Sequence, residues 1–154
     1  MSERLNNLPG YAVRNFDYFL GRPDQADKRA EMMARGLIPI NNLGLFFTEQ
    51  DPELAPGIRN PMCRANQPFG HLIDRLCEGQ PELWQRAVEA EQASVDASNA
   101  LWRTLEAGDP NARATVMEAA KATHWHRTEV LNEVFRILAP QMEAEGLDPL
   151  SACL

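Results

Sequence analysis

The chain has 154 residues, a formal net charge of −7 at pH 7 and a pI near 5.0. This length is typical of one domain with an ordinary core, and we predict a single helical domain over residues 1–154. The acidic balance argues against nucleic-acid binding, which requires clustered basic residues. No apolar run reaches the length of about eighteen residues that a membrane span requires, so we expect no membrane association. The three cysteines lack C-x-x-C spacing, which predicts reduced thiols and a cytoplasmic location.

Two short helical patterns follow an irregular start. Residues 1–10 carry turn-forming residues, which predict an irregular segment. Residues 11–20 concentrate aromatic side chains, and we predict a short helix whose aromatic side faces inward. Asp24 is a suitable N-cap for a second helix, which we expect to end near Arg35 because Gly36 follows.

Residues 37–65 form a proline-rich connection to a third helix. Its prolines exclude a long helix, and the apolar run 43–47 is compatible with an extended segment. A connection of this length is unusual in a compact domain, so we expect it to be functional or to pack over the long helices. The third helix is predicted from Asn66 to Gly79, where glycine ends it. The prolines of the connection are Pro39, Pro52, Pro56 and Pro61.

Residues 81–139 contain two long helical patterns with a very short link. Gly108 and Asp109 separate them, and Asp109 followed by Pro110 is a typical helix start. A link this short makes the two helices antiparallel neighbours. Pro140 should break or kink the second helix. We therefore predict an all-α fold, in which the shorter N-terminal helices and the proline-rich loop pack on a long antiparallel helix hairpin.

Each long helix has one apolar face. Spacings of three and four residues put Trp84 and Trp102 on the first face, and we predict that both belong to the core. Trp125 falls on the far side of the second helix and is predicted to be an outward contact surface. Two helices of about 40 Å offer more apolar surface than three short helices can cover, which predicts a homodimer formed through the hairpins. The first face comprises Trp84, Val88, Val95, Trp102 and Leu105, and the second comprises Val116, Ala120, Val130, Leu131, Val134, Ile137 and Leu138.

Six polar residues interrupt these faces midway along the hairpin. In an antiparallel pair with this link, residues whose numbers sum to about 217 lie opposite each other, which places Glu91 beside Arg127. Buried polar groups require partners, so these residues should either satisfy one another or hold a ligand. We call the group the interhelical polar patch, and its members are Glu91, Ser94, Ser98, Thr123, His124 and Arg127.

The interhelical polar patch has a structural and a functional interpretation. In the structural one, Glu91 and Arg127 form a buried ion pair that fixes the register of the hairpin. In the functional one, Arg127 binds a carboxylate or similar anion, the hydroxyl groups of the patch add contacts, and Glu91 and His124 act as acid and base. A register pair needs only two residues, and the surplus of polar residues is what distinguishes the functional interpretation.

No other motif in the sequence identifies a chemistry. Nucleotide-binding glycine loops and the common hydrolase and metalloprotease motifs are missing from the sequence, so no cofactor can be named. We predict no metal site, because His124 and His126 point about 200° apart on a helix and cannot chelate one ion together. Two functions remain. The protein binds a small anionic or polar ligand between its long helices, with acid–base catalysis by the patch, or it is a non-enzymatic interaction or oligomeric adaptor module whose patch is structural.

Overall fold

The computed structural model describes residues 8–47 and 67–154, which form helices and turns without strands. This confirms the predicted all-α class. Within the described ranges, no helix is long and apolar enough to cross a membrane. The same ranges hold five α-helices: α1 is Gly10–Leu20, α2 is Ala26–Ala34, α3 is Gly70–Gly79, α4 is Pro81–Ala107 and α5 is Pro110–Ala144. Short 3₁₀ helices occur at Pro23–Gln25, Leu43–Phe47 and Pro149–Ala152.

The long helices α4 and α5 form the predicted hairpin, and local signals explain its turn. Gly108 ends α4 with a φ of 73°, in the left-handed region that favours glycine. The Asp109 carboxylate then accepts the backbone N–H groups of Asn111 and Ala112, at 3.0 and 3.3 Å. Pro110 occupies the first turn of α5, where a missing N–H costs nothing. The chain therefore reverses within a few residues, and the two helices pack side by side.

Several predicted boundaries differ from the structure. Asp24 is not the N-cap of α2, because it lies in the 3₁₀ helix that precedes α2. The run 43–47 is a 3₁₀ helix and not an extended segment. The predicted start of the third helix, Asn66, lies outside the described residues, as does most of the proline-rich connection; α3 begins at Gly70 and ends at Gly79 as predicted.

Helix α5 continues through Pro140, where a break was predicted. Proline removes one intrahelical hydrogen bond from the last turns of the helix. Ala139 and Met142, on either side of it, are fully buried in the core. This packing holds the chain helical to Ala144, after which Gly146 turns it with a φ of 76°.

The main hydrophobic core lies at one end of the hairpin. The C-terminal part of α5 supplies most of its long-helix side chains, and α1, α3 and the beginning of α4 pack around them. A second, smaller cluster joins α1 to α2. The fully buried residues of α5 include Val130, Leu131, Val134, Phe135 and Leu138, and the smaller cluster contains Phe16, Leu20, Met32 and Leu37.

Beyond this core, the hairpin continues as a pair of helices with little cover. Glu91 is the last buried residue of α4, and Arg127 is the first buried residue of α5. None of residues 92–126 is buried, and we call this part the distal hairpin. Trp84 packs against the core, but Trp102 is 66% exposed, so its predicted core position is wrong.

Trp125 is also placed differently from the prediction. It is partly buried and packs against the smaller cluster that joins α1 to α2. The Arg35 guanidinium stacks on its indole, 3.9 Å from the ring centroid. The side of α5 that the sequence predicted to face outward is thus covered by the N-terminal helices at this point.

Candidate functional site

Glu91 and Arg127 meet across the hairpin, as the predicted register requires. Arg127 Nε donates to Glu91 Oε2 at 2.5 Å, and Arg127 Nη2 donates to the carbonyl oxygen of Asn41 at 3.3 Å. Glu91 is 5% exposed and Arg127 is 8% exposed. The pair is therefore buried and held by three elements: α4, α5 and the segment that leads into the 3₁₀ helix Leu43–Phe47.

Gly44, in the 3₁₀ helix Leu43–Phe47, covers the Glu91–Arg127 ion pair. A β-carbon at that position would overlap the Glu91 carboxylate and would lie 2.8 Å from Arg127 Nη2. Glycine is required here for space, because any side chain would displace the paired groups. Covered in this way, the pair has the geometry of the structural interpretation.

An open cavity of about 580 Å³ lies next to the pair, where the distal hairpin meets the N-terminal helices. Residues 39–41 and the helices α1, α2, α4 and α5 all contribute to its wall. Neither Glu91 nor Arg127 lines it. The polar residues on its wall are Gln25, Lys28, Asn41, Ser94, Ser98, Lys121, His124 and Thr128.

The structure divides the interhelical polar patch. Ser94, Ser98 and His124 line the cavity. Thr123 does not line the cavity. Its hydroxyl donates to the Ala119 carbonyl oxygen of its own helix at 2.8 Å. Together with the Glu91–Arg127 pair behind the wall, the six residues thus occupy three separate environments.

Two lysines on the cavity wall were not among the predicted site residues. Lys28 comes from α2 and Lys121 from α5, and they are the two lysines of the whole sequence, which otherwise uses arginine. Lys121 Nζ lies 3.5 Å from Glu118 Oε1, but both side chains are largely exposed, so that contact stabilises little. Within the described part of the chain, Lys28 forms no ion pair. The scarcity of lysine was the signal in the sequence that could have found them.

His124 is electrostatically tuned by its surroundings, although its side chain remains accessible from the cavity. Burial against the wall lowers its pKa, and the positive charges of Arg127 and Lys28 lower it further. Glu91 acts in the opposite direction and does not compensate. At neutral pH the imidazole is therefore uncharged, with one nitrogen free to accept a proton or a hydrogen bond.

The remaining wall of the cavity is apolar. Its residues come from α1, α2, α4, α5 and the segment 39–41. Such a wall can receive the hydrocarbon part of a ligand while the lysines hold its charged part. The apolar residues are Phe19, Leu20, Met32, Pro39, Ile40, Leu101, Met117, Ala120 and Trp125.

A metal centre is not formed by the described residues, in which no group of three or more His, Cys, Asp or Glu side chains could hold an ion. His71, on α3, instead contacts Glu145 Oε1 through Nε2 at 2.7 Å.

Comparisons with known proteins add no constraint on this site. The chain matches no protein-family model, no curated protein and no solved structure.

Proposed function

We propose that the protein binds a small organic anion with an apolar body in the cavity beside the Glu91–Arg127 pair. The observation that carries this proposal is the convergence of both lysines of the chain, Lys28 and Lys121, on one cavity. They come from α2 and α5, and only the fold brings them together.

The charge of the cavity supports an anionic ligand. The protein as a whole carries a formal charge of −7, yet the described wall residues include two lysines and no acidic side chain. Lysine is a compact point charge on a flexible stem, which suits binding of a carboxylate or phosphate group that settles between the two helices. Ser94 and Ser98 add hydroxyl groups that can donate to the same anion.

The size and lining of the cavity support a ligand larger than an inorganic ion. Its volume of about 580 Å³ falls within the range of roughly 300–1,000 Å³ that is typical of small-molecule sites. An inorganic phosphate would leave the apolar wall of the cavity in contact with water. That wall would be desolvated by an aliphatic or aromatic group of the ligand, which contributes roughly 25 cal/mol per Å² of buried apolar area.

In this proposal, Arg127 supports the site without binding the ligand. Its guanidinium is already engaged by Glu91 and Asn41, and its charge helps to keep His124 neutral. If the ligand is a substrate, His124 is the group that takes a proton from it, because it is neutral and lines the cavity. Glu91 lies behind the wall and helps to position the helices.

The test is a thermal-shift screen of small carboxylates and phosphates, followed by calorimetric titration of the compounds that raise the melting temperature. We expect saturable stabilisation that grows as RT ln(1 + [L]/Kd). The double variant Lys28→Gln/Lys121→Gln should bind the same compound at least ten-fold more weakly, since a hydrogen bond to a charged group contributes about 1.5–3 kcal/mol.

A matched control is Arg75→Gln/Arg113→Gln, which removes two positive charges from exposed positions outside the cavity. It should bind the compound as the parent does. Equal weakening by the two double variants would show that only the overall charge matters, and a screen without a stabilising anion would reject the proposal.

A second candidate function is a non-enzymatic interaction or oligomeric adaptor module, including the predicted homodimer. Two observations favour it: Gly44 seals the Glu91–Arg127 pair as a structural unit, and the distal hairpin leaves Trp102 exposed. A cytoplasmic location is proposed from the sequence, because its three cysteines are an odd number without C-x-x-C spacing.

A further inference from the structure

The distal hairpin exposes a row of large apolar side chains on α4. Val95 is 43% exposed, Trp102 is 66% exposed and Leu105 is 37% exposed. These three residues lie on one helix within the least covered part of the fold, and exposed apolar patches rimmed by polar residues mark interaction sites. We call these three residues the α4 stripe.

The spacing of the α4 stripe is that of a coiled-coil seam. Positions 95, 98, 102 and 105 follow the alternation of three and four residues of a heptad, with Ser98 as its small member. From Val95 to Leu105 the seam is about 15 Å long at 1.5 Å per residue. The occupant expected on such a seam is therefore another α-helix.

The charge distribution determines which surfaces of two copies of this chain can approach each other with least repulsion. The distal hairpin, residues 92–126, carries three basic and four acidic side chains, a net charge of −1, whereas the other described residues, 8–47, 67–91 and 127–154, carry nine basic and fourteen acidic side chains, a net charge of −5. Two copies of this chain therefore repel each other through their bodies and approach most easily through their distal hairpins. Beside the seam, positions 94, 99 and 101 are uncharged and only Glu106 carries a charge.

We propose that the α4 stripe binds the α4 stripe of a second copy of this chain, in antiparallel orientation about a two-fold axis. This rests on the second proposed function and gives it an interface. In the antiparallel register, contacting residues have numbers that sum to 200, so Val95 meets the partner's Leu105 and Trp102 meets the partner's Ser98. Each bulky indole then packs on a small residue.

This register also connects the interface to the cavity. Ser98 lines the cavity as well as the seam, so the partner's Trp102 forms part of the cavity rim in the dimer. Three large side chains per copy form less than the roughly 800 Å² per partner of a standard interface, so we expect a reversible dimer with a dissociation constant of about micromolar or weaker.

Sedimentation equilibrium of the full chain without added ligand tests the association. Over a concentration range of about 1–200 µM, we expect the average mass to rise from monomer toward dimer. Trp102→Ala should shift this transition to at least ten-fold higher concentration. Tyr18→Ala, which removes an aromatic side chain that is 61% exposed on α1, is the matched control and should leave it unchanged.

A charge exchange tests the orientation. Val95→Lys alone and Leu105→Glu alone should each weaken the dimer, because the introduced charge meets an apolar side chain. The double variant Val95→Lys/Leu105→Glu should recover association, since in the antiparallel register each introduced ammonium meets an introduced carboxylate of the other copy, and this recovery should diminish with salt. Circular dichroism confirms that each variant is folded.

A parent chain that stays monomeric throughout the range would overturn the proposal and leave the stripe to a different protein. A dimer that is insensitive to Trp102→Ala would overturn it as well, by placing the interface elsewhere. A double variant weaker than both single variants would exclude the antiparallel register. Because association is measured without added ligand, failure of the dimer and failure of anion binding are observed in separate experiments.

Discussion

Removal of the Arg127 side chain tests whether the buried ion pair holds the fold together. In Arg127→Met, the Glu91 carboxylate loses the one partner it has among the described residues, at a site that is 5% exposed and closed by Gly44. The Asn41 carbonyl loses a donor at the same time. Water cannot reach the carboxylate easily to replace these contacts, so the variant must leave an unpaired charge buried or open the 3₁₀ helix that covers it.

The expected cost is that of breaking a buried pair from one side, about 3–5 kcal/mol. For a chain of this size, each kcal/mol shifts the melting temperature by roughly 2–4 °C, so the loss should be about 6–20 °C. Replacing both members by apolar residues, as in Glu91→Leu/Arg127→Met, removes the buried charge along with its partner. That double variant should recover most of the loss.

The assay is urea unfolding at pH 7, followed by far-ultraviolet circular dichroism and analysed as a double-mutant cycle. Arg86→Met is the matched control: Arg86 pairs with Glu133 through two contacts of 2.9 Å, but both side chains are about half exposed. It should cost no more than about 1 kcal/mol. If Arg127→Met costs as little as Arg86→Met, or if the two substitutions at the buried pair are simply additive, the structural role is refuted.

Two further predictions concern Gly44, which covers the ion pair, and His124, which lines the cavity. Gly44→Ala should destabilise the fold by about 1–3 kcal/mol in the same unfolding assay, because its β-carbon has no room beside the pair, whereas Gly79→Ala, with nothing within 4 Å of the added carbon, should be neutral or slightly stabilising. The lowered pKa of His124 means that the unfolded chain binds its proton more readily than the folded chain does. Its contribution to stability is therefore fully present above the unfolded value of about 6.5 and is lost as pH falls from there through the folded pKa. His124→Gln should lack this acid-side loss in melting curves recorded between about pH 8 and pH 5, and an identical pH profile in the variant would contradict the assignment.

The long helices could be predicted because each of their signals is local. Gly108, Asp109 and Pro110 end one helix and begin the next through their own backbone preferences, and no distant residue is needed for the hairpin turn. The end of α5 could not be predicted in the same way. Pro140 has a local preference against a helix, but the burial of its neighbours outweighs it, and burial depends on the rest of the fold.

The burial of the tryptophans could not be predicted from helical periodicity alone. Trp84 and Trp102 share a face of α4, so the helical pattern gives them the same environment. The core ends near Glu91, however, and only Trp84 lies within its reach. Where cover ends along a long helix depends on the lengths and positions of the elements packed on it. Trp125 is likewise covered by residues of α1 and α2, which the pattern of α5 does not include.

One contact of the candidate site could likewise be predicted from the sequence, and another could not. The contact between Glu91 and Arg127 follows from the antiparallel register, which the sequence provides through the length of the turn. The convergence of Lys28 with Lys121 requires α2 to pack against the base of the distal hairpin, and no local pattern specifies that docking.

Both cation types in this region have a role that matches their chemistry. An arginine forms the buried pair, where the guanidinium can donate to Glu91 and to the Asn41 carbonyl from one planar group. The lysines instead stand at the open cavity, where a flexible stem and a single ammonium can follow a ligand as it enters. In a chain that otherwise uses arginine for its positive charge, placing both lysines at one cavity separates the group that fixes the hairpin from the groups that we propose bind the anion.

It follows that Lys28→Arg/Lys121→Arg, which keeps both charges, should bind the anion more weakly than the parent, because the larger planar groups no longer fit the same positions. Calorimetric titration of the compound that stabilises the parent measures this, and an unchanged affinity would show that charge alone, without the shape of the ammonium, accounts for binding.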